Sequence, residues 1–390
     1  MSISGDQAIA ASAAPVQAAG REIKEKRYLF GPAIDFLCLG GISFLLIPVM
    51  FVLPEKELTL TVAAIALGVA HFINHPHFAF SYQIFYEGFR HKAFGSDNDA
   101  ALRARYIFAG IVVPVALAAF LAYSMAFGDD RMLGYGANLM GFLVGWHYVK
   151  QGYGMLMVDA VLKRQFFDGA EKKILLINSY AVWALAWLVI NSVMSKAALW
   201  GIQYYMFHIP PLVLAVGFTF AFATSTMTVS TLIKKWRANG GSLPVSGVAA
   251  YMASLYLWLL FVRWNALWLL IVPALHSLQY LVVVARYRIN QERDRADAHE
   301  PPRPQPVGRI FCRRYQLRYA GFVMLGLILG FVGFWGAPVY FQVVIPYDRA
   351  VFGATAFLFV FWIFINVHHY FLDNVMWRSH NPDVRKYLFA

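Results

Sequence analysis

The sequence predicts an all-α integral membrane protein, a bundle of about ten transmembrane helices with both termini in the cytoplasm. Three observations carry that expectation. Of the 390 residues, 59% are hydrophobic and only 14% charged, where a soluble domain carries about 25% charged residues. The apolar residues fall in runs of the roughly 20 residues that a helix needs to cross a bilayer. The basic residues gather at the ends of those runs and favour one side, as the positive-inside rule requires.

Residues 1–20 are small and polar, with no cationic start before an apolar core, so 1–27 read as a disordered cytoplasmic tail and not as a cleavable signal. Arg21, Lys24, Lys26 and Arg27 then hold the start of the first span, 28–53, inside. Further spans follow near 58–86, 106–127, 134–162, 174–194, 209–232, 245–262, 264–285, 317–336 and 349–377. With sides taken in alternation, 27 of the 33 Lys and Arg fall in the cytoplasm; Lys56, Arg131, Lys196, Arg263 and Arg349 lie outside, and Lys150 lies within a span. A missed span would swap the sides of every later loop, so the asymmetry tests the count. The seventh and eighth spans touch at Arg263 and Trp264 and also fit a re-entrant pair.

Residues 28–377 therefore form one polytopic domain, placed in the inner (cytoplasmic) membrane. It is interrupted by an Arg/Pro-rich cytoplasmic loop at 286–316, whose expected partner is anionic membrane lipid, and followed by a cytoplasmic tail at 378–390. The net charge of +12 does not imply nucleic acid, because the basic residues flank apolar runs. Cys38 and Cys312 give no disulfide or zinc spacing. Gly326 and Gly330, like Gly141 and Gly145, form GxxxG pairs that imply close helix packing, within the chain or in a homodimer.

Seven of the eleven histidines lie inside spans: His71, His75, His77, His147, His276, His368 and His369. All sit on even-numbered helices that run inward, and five share one depth, roughly 12 to 16 Å from the inner boundary at about 1.5 Å per residue. His369 and Asp373, four residues apart, share a helical face, whereas His368 points about 100° away. Ionisable groups in a spanning helix face the bundle interior and mark chemistry or a transport path, and imidazole is the commonest metal ligand. The expected ligands are His75, His147, His276 and His369, with His71 and His368 as substitutes. Lys150, Asp373 and Tyr280 are the candidate catalytic residues. Lys150 calls for an acid such as Asp35, or for an anionic group, beside it. Asn74, Gln151 and Gln279 are placed to orient the rings. Other readings of the same layer are interhelical hydrogen bonding, worth about 0.6 kcal/mol per bond, a proton relay or transporter, and haem held between paired histidines.

His71-Phe-Ile-Asn-His75 matches the HxxxH box of histidine-box membrane lipid hydroxylases and desaturases. Their HxxHH boxes are not matched, since Ile365 stands three residues before His368. One or two histidines from each of four helices instead resembles the arrangement in Brp/Blh-type membrane carotene dioxygenases, polytopic proteins in which histidines of several helices hold iron. That resemblance implies a membrane oxygenase. Together with the histidine layer, it gives the expectation of a metal-dependent oxidoreductase that uses Fe(II) on a lipid-soluble substrate reached from the bilayer. Need for an electron donor stays open at this stage.

Overall fold

The computed structural model describes residues 28–52, 55–96, 98–127, 130–193, 198–199, 202–203, 205–260, 267–299, 314–378 and 381–389. Their regular structure is helical, apart from a ribbon of two antiparallel strands, Ala198–Leu199 and Ile202–Gln203. Eight helical stretches are long and apolar enough to cross a membrane: Pro32–Val49, Leu58–Tyr86, Ala100–Ala126, Gly169–Ser192, Pro211–Ala238, Leu270–Ala296, Tyr315–Val344 and Ala356–Met376. That marks a multi-pass membrane protein. The other two expected spans are helical as well. Asp130–Leu162 is long but carries Asn138, His147, Lys150 and Gln151, and Val245–Leu257 is apolar but short.

Four helices position the histidines: Asn74–Tyr86 with His77, Asp130–Leu162 with His147, Leu267–His299 with His276, and Ala356–Met376 with His369. The His369 helix is the central one. It buries residues around its whole circumference and packs against both the His147 and the His77 helices, as a helix apolar on every face must. The His77 helix lies under Arg314–Phe331. Close approach there depends on glycine, because a Cβ at Gly330 would stand 2.9 Å from the backbone carbon of His75, and one at Gly326 would run into the Phe80 ring. The GxxxG pair is thus used within the chain, and a Cβ at Gly145 would similarly meet Trp183 at 2.9 Å.

Among the described residues three spans carry a π-helical turn, at Phe108–Val112, Ala253–Leu257 and Val332–Gly336, and the first span is kinked at Gly40, within Leu37–Gly41. Either irregularity leaves a carbonyl without its usual helical partner. Side chains near the histidines use these: Gln279 donates to the Leu39 carbonyl, and Tyr86 Oη to Gly110 O at 2.8 Å.

Three terminal and loop expectations are modified. The His276 helix continues to His299, so the first half of the 286–316 loop is helical. Two of its arginines, Arg288 and Arg295, pair with Glu87 at 2.6 and 2.7 Å and are not free for lipid. Residues 300–313 and the tail 1–27 lie outside the described residues. Within the 378–390 tail, Pro382–Leu388 forms a helix whose Val384 and Leu388 are buried. Asn290 Nδ2 donates to Tyr387 O at 2.7 Å and Lys386 pairs with Asp294 at 2.6 Å, fastening this helix to the His276 helix.

Replacing Gly330 with alanine is expected to lower the thermal unfolding midpoint in detergent, by the equivalent of about 1–3 kcal/mol of overpacking. Gly321→Ala, where a Cβ meets nothing within 4 Å, should leave the midpoint unchanged or raise it. At Glu87, burial pushes the carboxyl up, but Arg288 and Arg295 outweigh that and hold it below the ordinary carboxylate range. Its contribution to stability is present above the unfolded value of about 4.3 and is lost as pH falls through the depressed folded value. Wild type should therefore unfold at higher temperature than Glu87→Gln at neutral pH, the gap narrowing below about pH 4.

Candidate metal centre

The helix that carries His77 begins at a break. Pro76 has no N–H to give the preceding turn, and the helix is interrupted at Ile73, whose N–H still reaches Val69 O at 3.0 Å but whose φ opens to −116°. From there Asn74, His77 and Ser81 follow at i, i+3 and i+7, so one polar stripe faces the bundle interior. Ser277 Oγ donates to Asn74 Oδ1 at 2.7 Å and therefore accepts from His77 Nδ1 at 2.9 Å. That places the His77 proton on Nδ1. Nε2 keeps its lone pair, and it is buried without a hydrogen-bond partner among the described residues.

Asp373 is arranged the same way from the opposite side. Ser81 Oγ donates to its Oδ1 at 2.8 Å, with Tyr280 Oη 3.4 Å from the same oxygen and 2.5 Å from Ser81 Oγ. Oδ2 is left facing His369 Nε2 at 3.4 Å and His147 Nε2 at 3.9 Å. One ligand atom each from His77, His147, His369 and Asp373 lies within 4.8 Å of the other three, and all four residues are buried. His147 Nε2 also stands 3.1 Å from His276 Nε2.

The 3.4 and 3.9 Å separations are within reach of a single ion, and the 4.8 Å bound on the whole group asks for a contraction of a few tenths of an ångström when one binds. Donors about 2.1 Å from a metal stand about 3.0–3.4 Å apart when adjacent and about 4.2 Å apart when opposite. The unpartnered His77 Nε2 and His369 Nε2 supply the second indication, since buried polar atoms are ordinarily satisfied. This group could hold a metal ion. Beside it, Gln151 Nε2 donates to His276 O at 3.1 Å and to Gln279 Oε1 at 2.7 Å, which ties the His147 helix to the His276 helix.

The residues expected from sequence divide. His147, His369 and Asp373 meet, with His276 against His147 and Tyr280 on Asp373 Oδ1. His75 does not join them. It stacks on Phe334 at 4.3 Å, with His71 edge-on at 6.0 Å, because it lies about 200° around the helix from His77. His368 donates from Nε2 to Ala109 O at 3.0 Å and accepts at Nδ1 from Tyr82 Oη at 2.9 Å, which occupies both nitrogens. Lys150 is half-buried and makes no hydrogen bond or ion pair among the described residues. Asp35 is not its partner, because that carboxylate accepts the Leu29, Phe30 and Gly31 backbone N–H groups ahead of its helix, at 2.6, 3.0 and 3.4 Å. His77 belongs to the group although the HxxxH spacing passes it by. The Asn74, His77, Ser81 stripe was the signal that could have found it.

No protein-family model, curated protein or solved structure matches this chain.

His77→Ala and His369→Ala are expected to abolish bound transition metal, measured by elemental analysis of protein that still elutes as a folded species. His75→Ala should retain the wild-type metal content. The opposite pattern would place the ligands on the other face of the His77 helix.

Proposed function

We propose that the chain is a membrane-embedded oxidoreductase that binds one non-haem Fe(II) ion on His77, His147, His369 and Asp373 and acts on a lipid-soluble substrate. The observation that supports this most is the meeting of three imidazoles and one carboxylate, from three helices, in a buried group in which His77 Nε2 and His369 Nε2 lack partners among the described residues. Histidines with one carboxylate and open positions suit non-haem iron used with oxygen. When bound, the ion supplies one-electron chemistry with dioxygen at a C–H or C=C bond.

The chain's own residues bind, orient and exclude water. Ser277 holds the His77 tautomer, Ser81 and Tyr280 hold Asp373 Oδ1, and His276 hydrogen-bonds His147. Aromatic rings close the surroundings: Phe78 lies edge-on to His369 at 4.8 Å and Tyr370 stacks on His147 at 4.7 Å. Such walls favour an apolar substrate arriving sideways from lipid. They favour a bare ion over haem too, since a porphyrin needs a flat slot, and Tyr280 packs on His77 at 4.2 Å. The reading includes ten crossings in the inner membrane, both termini cytoplasmic, and anionic lipid along the basic inner face.

Gently purified protein is expected to contain near-stoichiometric iron without haem absorption. Lipid extracts of cells lacking the protein should accumulate one apolar precursor, an acyl lipid, isoprenoid or carotenoid, which the purified protein converts only with oxygen present. Full activity in metal-free protein would overturn the proposal. An unchanged lipid profile with altered uptake of a polar solute would assign the histidines to transport.

A further inference from the structure

A ladder of aromatic rings leads away from the metal group toward the C-terminal helix. Tyr280 packs on His77 with ring centroids 4.2 Å apart. Trp377 stands edge-on to Tyr280 at 5.8 Å, Tyr287 to Trp377 at 5.5 Å, and Tyr387 to Tyr287 at 5.5 Å. Tyr280 and Tyr287 are buried and Tyr387 is half-exposed. The chain holds 33 Phe against 32 Tyr and Trp, yet none of these four rings is Phe. That difference matters because tyrosine and tryptophan can lose and regain one electron where phenylalanine cannot.

The phenols have places for their protons. Tyr387 Oη donates to Asp294 Oδ2 at 3.2 Å, and Tyr280 Oη lies 2.5 Å from Ser81 Oγ. Tyr287 and Trp377 line a small pocket together with Lys92, Asn381 and Asp383. Lys92 and Asp383 make its wall polar. Trp377 itself can pass through a radical cation with no proton loss.

We infer that Tyr387, Tyr287, Trp377 and Tyr280 form a one-electron path between the surface at the C-terminal helix and the His77, His147, His369 and Asp373 group. The inference rests on the reading that this group holds a redox metal. A soluble one-electron carrier docking beside Tyr387 loses one electron, and the metal gains it. Each ring in between is oxidised by the next ring inward and reduced by the one outward, so none is consumed. Tyr387 lends its proton to Asp294, Tyr280 lends its proton through the Ser81 hydroxyl to Asp373 Oδ1, and Tyr287 gives its own to the Asp383 carboxylate that lines the same pocket; each recovers it on reduction. Phe78, edge-on to His369, leads to Phe334 at 5.2 Å and cannot carry the same traffic.

A photosensitiser attached at Lys386→Cys, in a chain with Cys38→Ser and Cys312→Ser, drives the path in reverse when flash-oxidised. In metal-free protein the flash should produce a tryptophan or tyrosine radical seen by electron paramagnetic resonance, with the tryptophan signal lost in Trp377→Phe. In iron-loaded protein, oxidation of the metal should slow at least tenfold in Trp377→Phe and in Tyr287→Phe. Tyr319→Phe, outside the ladder, should match wild type. Unchanged rates in both ladder variants, or no radical in the metal-free protein, would overturn the inference. Protein that binds no redox metal would overturn the functional reading instead, while the metal-free flash still tests the ladder.

Discussion

The structure depends on the burial of one carboxylate. Asp373 lies in the core of an apolar bundle with 6% of its surface exposed, and an isolated buried carboxylate costs several kcal/mol even after relaxation. Half of it is accounted for by Ser81 and Tyr280 at Oδ1. Oδ2 faces imidazole nitrogens, of which His369 Nε2 has no hydrogen-bond partner. A cation between them satisfies the carboxylate and the lone pairs together, which neutral histidines alone do not. The helices are arranged accordingly, with the carboxylate on the central helix and its supporting donors on two others.

The membrane fold was legible because its rules are one-dimensional. Run length and the side on which Lys and Arg fall require no knowledge of which helix touches which, and all ten predicted runs contain helix. The boundaries that failed have physical reasons. The segment after Arg286 looked like a polar loop, but Arg288, Glu292 and Arg295 recur at helical spacing and pair with one another and with Glu87. In the last residues Val384 and Leu388 make one apolar face on a single helical turn, a pattern too short to stand out in the sequence. The charge that suggested a lipid partner is, at Arg288 and Arg295, engaged in a network of pairs.

The candidate site was legible in depth and only partly in direction. Counting residues from the inner boundary places His75 and His77 equally well, and depth cannot distinguish two sides of one helix. On the His369 helix the i, i+4 relation of His369 to Asp373 and the 100° offset of His368 are decided by helical geometry alone, and the structure places them so. On the His77 helix a familiar spacing, His71 to His75, drew attention to the wrong face. The break at Ile73 and Pro76 meant that relation crossed two helical segments. The polar stripe of Asn74, His77 and Ser81 follows the helix actually formed.

What sequence could not offer was the backbone's part in holding the rings. In lipid a second carboxylate behind each histidine would bring its own desolvation cost, and the orienting groups used here are hydroxyls, amides and backbone carbonyls instead. A π-helical turn and the kink at Gly40 supply the last of these. Ala109, in Phe108–Val112, takes the His368 proton and Leu39, in Leu37–Gly41, takes the Gln279 amide, which in turn receives Gln151 below His147. A local irregularity of a helix thus becomes a hydrogen-bond acceptor at a chosen depth, without a charge. Since the carbonyls belong to spans one and three, these helices help to hold His368, next to His369, and Gln279, on the His276 helix, while contributing no residue to the His77, His147, His369 and Asp373 group. Their packing and the orientation of the imidazoles are therefore parts of a single constraint.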